Sequence, residues 1–433
     1  MKTWAFRLML GCAFLMPYLP DFNQVFDRIS VALFLLAFLF YLVTRRPVSR
    51  AGGIWLALFA VTTVASLHVS LSWYYISFAE WGRAALPMAF LGVYWFDMVA
   101  RSETHTKVQL IINSIHLALL VWTVKMLVIC IPELGLLFAG GIPRLTQVAG
   151  GGDIANCAAI LGFAISLFNP DRNARRLRPL LAPLFLAVIL MSGFRSQLVL
   201  AGLTYTAFVL LRGRHALLLS AGVWALIGLV AMKQEQLPFL NDVGNRFQIL
   251  LERGSGSRTA ENLFALETFF ESPLLGAGLP PRIPTAVTFF EDWKSQQQVD
   301  IDYSRYIHNL SLYVAMTLGL PGLIAYGMFV ARSVWRGIGQ LRQHACVDRD
   351  ARVAALVLLA ILLVLFQVEP YFRHIQNNIL LGVLLGAFEL APAQRIVKSL
   401  ARSTPRANHR VSERQPIGAL STALAGGAHA TLA

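Results

Sequence analysis

Gly254-Ser255-Gly256-Ser257-Arg258-Thr259 and Ser272-Pro273-Leu274-Leu275-Gly276-Ala277-Gly278 lie in the one long polar interruption of an otherwise apolar chain. That interruption runs over residues 233–308 and closes on Tyr306-Ile307-His308-Asn309-Leu310-Ser311-Leu312, where the next apolar segment begins. Most other connections are short. A loop of about 75 residues between compact elements is uncommon and usually functional. Of the 433 residues, 56% are hydrophobic and 14% charged, a balance that points to a polytopic membrane protein rather than a soluble enzyme.

Taking 15 to 25 apolar residues as a span predicts about twelve transmembrane helices. They fall at 4–19, 26–43, 54–71, 80–97, 108–131, 154–168, 179–193, 196–211, 215–232, 307–331, 353–369 and 374–391. The fold class expected is therefore an all-α polytopic membrane protein with one large outer loop. Residues 1–232 hold helices one to nine, 233–306 the loop domain, 307–391 helices ten to twelve, and 392–433 a disordered cytoplasmic tail without apolar periodicity. The opening residues read as a first helix rather than a cleaved signal, because apolar residues continue through Phe14, Leu15 and Met16.

The formal net charge of +14 suggests nucleic acid until its distribution is followed. Basic residues sit in short loops between spans, as topology requires. With the N-terminus inside, 24 of the 37 Lys and Arg fall on the cytoplasmic side, among them Arg45, Arg172, Arg175, Arg212 and the stretch from Arg332 to Arg352. Residues 233–308 then lie outside. Cys12, Cys130, Cys157 and Cys346 suggest neither a disulfide set nor a zinc site. There is no P-loop, GxGxxG, HExxH or GxSxG.

Within the loop, residues 259–271 read as a helix with Leu263, Leu266, Phe269 and Phe270 on one side, stopped by Ser272-Pro273. A second short helix is expected over residues 286–297, both lying on the membrane surface or capping the bundle. Arg258 follows a Gly/Ser lead-in at a helix start, where unpaired N–H groups and the helix dipole favour anions. A guanidinium there binds phosphate oxygens through paired hydrogen bonds; the plainer reading is a solvated arginine beside Glu261. Arg195 occupies the tight outer turn Ser192-Gly193-Phe194-Arg195-Ser196, where it is either functional or snorkelling to the interface. Arg144 follows Gly140-Gly141-Ile142-Pro143 in another outer loop. His308 stands where a span emerges, suited to take a proton from a hydroxyl or simply structural. Asp300 and Asp302 resemble a two-carboxylate metal site, but a structural role is favoured because no third ligand completes it. Lys125 reads as snorkelling, and Glu369, Arg373 and His374 as a local ion pair in the last outer turn.

Arg258, the run from Glu271 to Gly278, His308 to Leu312 and Leu318-Gly319-Leu320-Pro321-Gly322 together resemble the O-antigen ligase superfamily, which also holds O-antigen polymerases and some protein O-oligosaccharyltransferases. Arg144 with Asn156, and Ser192 through Arg195, are similar to further arginine motifs of its earlier helices. Asn262 replaces an aromatic residue and Ala155 a proline of the usual pattern, departures that bear on the subtype. The resemblance implies a GT-C-type membrane glycosyltransferase working without cofactor, metal or nucleotide. It implies transfer of a glycan from undecaprenyl pyrophosphate to a hydroxyl of the lipid A–core oligosaccharide, on the periplasmic side of the bacterial inner membrane. Arg195 and Arg258 would hold the pyrophosphate with help from Arg144, and His308 would act as general base. A polymerase, a protein glycosyltransferase and, from another class, a lipid-glycan flippase remain the alternatives.

Overall fold

The computed structural model describes residues 50–73, 76–100, 108–130, 152–192, 195–212, 256–281, 283–284, 303–304, 307–342, 348–369, 372 and 374–390. The helices in them are α1 (Arg50–Trp73), α2 (Phe78–Ala100), α3 (Val108–Cys130), α4 (Gly152–Phe168), α5 (Arg172–Ser192), α6 (Arg195–Arg212), α7 (Gly256–Glu271), α8 (Leu310–Leu341), α9 (Arg349–Val368) and α10 (Ile375–Ala387). One antiparallel ladder pairs β1 (Ile283–Pro284) with β2 (Tyr303–Ser304), in the register Ile283 to Ser304 and Pro284 to Tyr303. Each apolar segment that falls in described residues is a helix. The segments at 4–19, 26–43 and 215–232, the helix expected at 286–297, the tail 392–433, and Cys12, Arg144, Asp300, Asp302, Tyr306, Cys346 and Arg373 lie outside them. Lys125 lies in α3. Among the described residues, Gly52–Ser72, Leu310–Leu341 and Arg349–Val368 are long and apolar enough to cross a membrane.

Packing follows from composition. In α4 every residue from Cys157 to Leu167 is buried, as expected of a helix that is apolar all round, and α3, α5, α6 and α9 pack about it. Gly162 gives the Phe185 ring its place on α4: a β-carbon there would overlap the ring at 2.0 Å. On α10, Gly382 and Gly386 form a small-xxx-small stripe seated on α2, against the Leu91 carbonyl and the Met98 side chain. Such stripes let helix backbones approach closely where lipid offers no hydrophobic drive between helices. The outward residues are apolar as well. Ile54, Leu58, Val61 and Val64 of α1 are exposed at helical spacing, a surface suited to lipid chains.

Several polar side chains inside the bundle pair with one another. Gln109, Asn113 and His116 share one face of α3 and meet Ser166 and Asn169 of the α4 end. The Ser166 hydroxyl donates to the Gly162 carbonyl at 2.8 Å, so it accepts from His116 Nε2 at 3.1 Å. His116 Nδ1 then accepts from Asn169 Nδ2 at 3.3 Å. At the end of the bundle that carries the α8 C-terminus, the Glu389 carboxylate lies between Arg332 and Arg336 of α8. Gln340 Nε2 donates to the Phe388 carbonyl at 2.8 Å, and buried Arg352 reaches both Gln340 and the Leu390 carbonyl.

The largest departure from expectation is in α8. Read as a single span over 307–331, it runs 32 residues and is broken at Gly319, whose φ of 68° and ψ of −170° are not helical. A break leaves backbone groups without helical partners. Leu320 N–H, which would have reached the Met316 carbonyl, donates instead to the Pro273 carbonyl at 2.7 Å. Pro321 has no N–H to give to Thr317. The two abandoned carbonyls are taken by the loop after α7: Ala277 N–H donates to Met316 O at 2.7 Å and Gly278 N–H to Thr317 O at 3.1 Å. The same loop is tied to α1, since Ser70 Oγ donates to the Leu279 carbonyl at 2.7 Å and accepts from Leu279 N–H at 2.9 Å. The 272–279 run and the Leu318–Gly322 run, sequence motifs about 40 residues apart, are thus two halves of one hydrogen-bonded knot.

Gly276 is where this knot tolerates least. Its φ is 69°, and a β-carbon would lie 2.5 Å from both the carbonyl carbon and oxygen of Thr317. Backbone cannot move aside as a side chain can. Gly276→Ala adds left-handed strain of about 1–2 kcal/mol to overpacking of about 1–3 kcal/mol, and is expected to lower the thermal midpoint in detergent sharply. Gly327→Ala is the control, because nothing lies within 4 Å of its β-carbon position. Equal midpoints for the two variants would refute the assignment.

Candidate functional site

Ala265 of α7 is fully buried, while Leu263, Leu266 and Phe270 are exposed, as are Glu267 and Glu271. The helix turns Arg258 and Glu261, three residues apart and so neighbours on one face, toward the ends of other helices.

Among the described residues each has a long-range partner. Arg258 Nη2 lies 2.8 Å from Glu369 Oε1, at the end of α9, with the Glu369 side chain only 6% exposed and the arginine 45%. Glu369 Oε1 also accepts from the Ser196 hydroxyl at 3.3 Å. Ser196 is the second residue of α6, directly after Arg195. Glu261 Oε2 receives His308 Nδ1 at 2.7 Å and the His308 backbone N–H at 3.3 Å. His308 is thereby held from its side chain and its main chain at once. Beyond it, Asn309 caps α8 by accepting from Leu312 N–H at 3.0 Å. Gln367 of α9 accepts from Ser311 N–H at 3.4 Å.

The sequence motifs pointed to Arg195, Arg258, His308 and Arg144. The structure joins Arg258, His308 and the start of α6 through two carboxylates; Arg144 falls outside the described residues. Glu369 was expected in a local ion pair with Arg373 and His374 in the last outer turn, and Arg373 lies outside the described residues. Among the described residues Glu369 pairs with Arg258, 111 residues away. Glu261, expected beside Arg258, serves His308 instead. Glu261, Glu369, Ser196 and Gln367 were not singled out as site residues. The signal for Glu369 was available: an acid closing an apolar run is costly and seldom idle. The signal for Glu261 was its place one turn beyond Arg258.

Chemically the cluster offers two functions. A guanidinium near the start of α7, with Nε and Nη1 not used by Glu369, joins the first N–H groups of that helix, which lack partners within the helix, as an anion site. A histidine whose Nδ1–H is held by a carboxylate keeps Nε2 as an acceptor.

No curated protein matches the chain. The family described as O-antigen ligase matches residues 180–327, a stretch that runs from α5 past the break in α8 and carries Arg195, Arg258, Glu261 and His308. Over that stretch the chain is similar to the O-antigen ligase family, which supports an assignment there.

Proposed function

We propose that this protein is an O-antigen ligase that moves a glycan from undecaprenyl pyrophosphate to a hydroxyl of the lipid A–core oligosaccharide. The family domain gives the coarser statement, a membrane glycosyltransferase-like enzyme of the ligase and polymerase superfamily. What supports the finer one is that Arg258 and Glu261, the partner of His308, share one helix, while the Glu369 that pairs with Arg258 also accepts from Ser196 at the start of α6.

In this reading the acceptor O–H gives its proton to His308 Nε2 as its oxygen bonds the anomeric carbon. The bond from that carbon to the pyrophosphate oxygen breaks, and the leaving group departs with the electron pair. Attack opposite the leaving group inverts the anomeric centre. Negative charge grows on the pyrophosphate, and fixed donors aimed at developing charge are among the largest contributions to catalysis. Arg258 and Arg195 fill that role, with Arg144 assisting. The donor already stores the activation, so neither nucleotide nor metal is required. About twelve spans of GT-C type, placed by the positive-inside rule, put the cluster on the periplasmic face of the inner membrane.

The test is transfer by purified protein from a polyprenyl-pyrophosphate oligosaccharide to rough lipopolysaccharide, without ATP and with EDTA. Glycosylated lipopolysaccharide is the expected product. Extension of the donor glycan without transfer to lipopolysaccharide would make the enzyme a polymerase, and transfer only after divalent metal is restored would bring Asp300 and Asp302 back as ligands.

A further inference from the structure

We propose that Glu261 is the positioning residue of the site, fixing His308 as its Nδ1–H tautomer so that Nε2 is the basic atom. The proposal rests on His308 being the general base. A neutral imidazole carries its proton on either nitrogen, and only the bare nitrogen can take another. Which one is bare is decided by the partner of the other.

Glu261 decides it here. A carboxylate has no proton to donate, so the 2.7 Å contact to Nδ1 requires the hydrogen to come from the ring. The same oxygen, Oε2, also accepts the His308 backbone N–H at 3.3 Å, which places the acceptor beside the ring as a consequence of main-chain geometry. That main chain is itself fixed. Asn309 caps α8 through Leu312 N–H, and its carbonyl accepts Tyr313 N–H at 2.9 Å. The Glu261 side chain is 13% exposed and that of His308 34%, so the carboxylate is shielded while the ring still reaches the surface where a hydroxyl could approach. Glu261 stands on the helix that carries Arg258, so the element that presents the cation for the leaving group also orients the base. Glu261 touches no reacting atom; it acts through His308.

Glutamine and alanine at position 261 separate this role from a packing role. The amide oxygen of glutamine can accept the same two N–H bonds, whereas alanine can accept neither. The experiment uses full-length protein in nanodiscs, a polyprenyl-pyrophosphate oligosaccharide as donor and rough lipopolysaccharide as acceptor, with His308→Ala as reference. Glu261→Ala is expected to lower kcat about tenfold to a hundredfold, as loss of an orienting partner does elsewhere, while the donor KM moves little. Glu261→Gln is expected to keep most of the rate. Spectra of ¹⁵N-histidine-labelled protein, with the His308 signals identified by their loss in His308→Ala, are expected to show Nδ1–H in wild type and Glu261→Gln. In Glu261→Ala that preference should be lost. An Nε2–H ring in wild type overturns the proposal. So does a fully active Glu261→Ala beside an inactive His308→Ala, which leaves the base itself standing. A fully active His308→Ala overturns the base and Glu261's role together.

Discussion

His308→Ala is expected to lower kcat for glycan transfer by about a hundredfold to ten-thousandfold, the range that a positioned general base supplies. The fold should survive the change. Glu261 Oε2 keeps the backbone N–H of residue 308 as a partner, Asn309 still caps α8, and the side chain removed is one-third exposed. Because the proton is transferred only as the new bond forms, the loss should appear in kcat with the donor KM nearly unchanged. Initial rates over a range of donor concentrations measure both. A variant with wild-type kcat would remove His308 from the chemistry.

Arg258→Ala is expected to cost about a hundredfold to a thousandfold in kcat/KM, the usual effect of deleting one donor to developing charge. Two effects are mixed in that substitution. It removes the cation facing the leaving group, and it also strips buried Glu369 of that guanidinium. Arg258→Lys separates them. Lysine can still pair with Glu369, but a single ammonium cannot grip one carboxylate and present two parallel N–H bonds to a phosphate. Lysine should therefore restore the thermal midpoint and recover only part of the rate. Full recovery by lysine would mean that Arg258 serves the fold through Glu369 and not the pyrophosphate.

Much of the scaffold was readable from hydropathy. The segments at 54–71, 108–131 and 353–369 coincide with α1, α3 and α9 to within a few residues, because a run of apolar residues has few alternatives to helix in a bilayer. The break in α8 was not readable in that way. Leu318-Gly319-Leu320-Pro321-Gly322 keeps its hydropathy through the break, and the N–H groups that make the break tolerable come from Ala277 and Gly278 in another element. The orientation of α7 was half readable. Periodicity separates its two faces but does not say which one turns inward. Arg258 and His308 could be picked out as residue types in the right places. Their carboxylates could not, since a pair 111 residues apart, such as Arg258 and Glu369, leaves no local pattern. What sequence supplied for the site was its reagents; what folding supplied was the pairing.

The β1–β2 ladder bears on how this protein can be altered. Arg258 and Glu261 on α7, His308 before α8, and the hydrogen bonds of residues 273, 277 and 278 to α8 close a circuit among the described residues. Ile283 pairs with Ser304 and Pro284 with Tyr303, so the chain leaves that circuit and returns to it at one place. Lengthening a loop whose ends are held together costs only about 0.6 kcal/mol for each doubling. An insertion between the two strands is therefore expected to leave the thermal midpoint nearly unchanged, which makes that span a place for grafting rather than redesign.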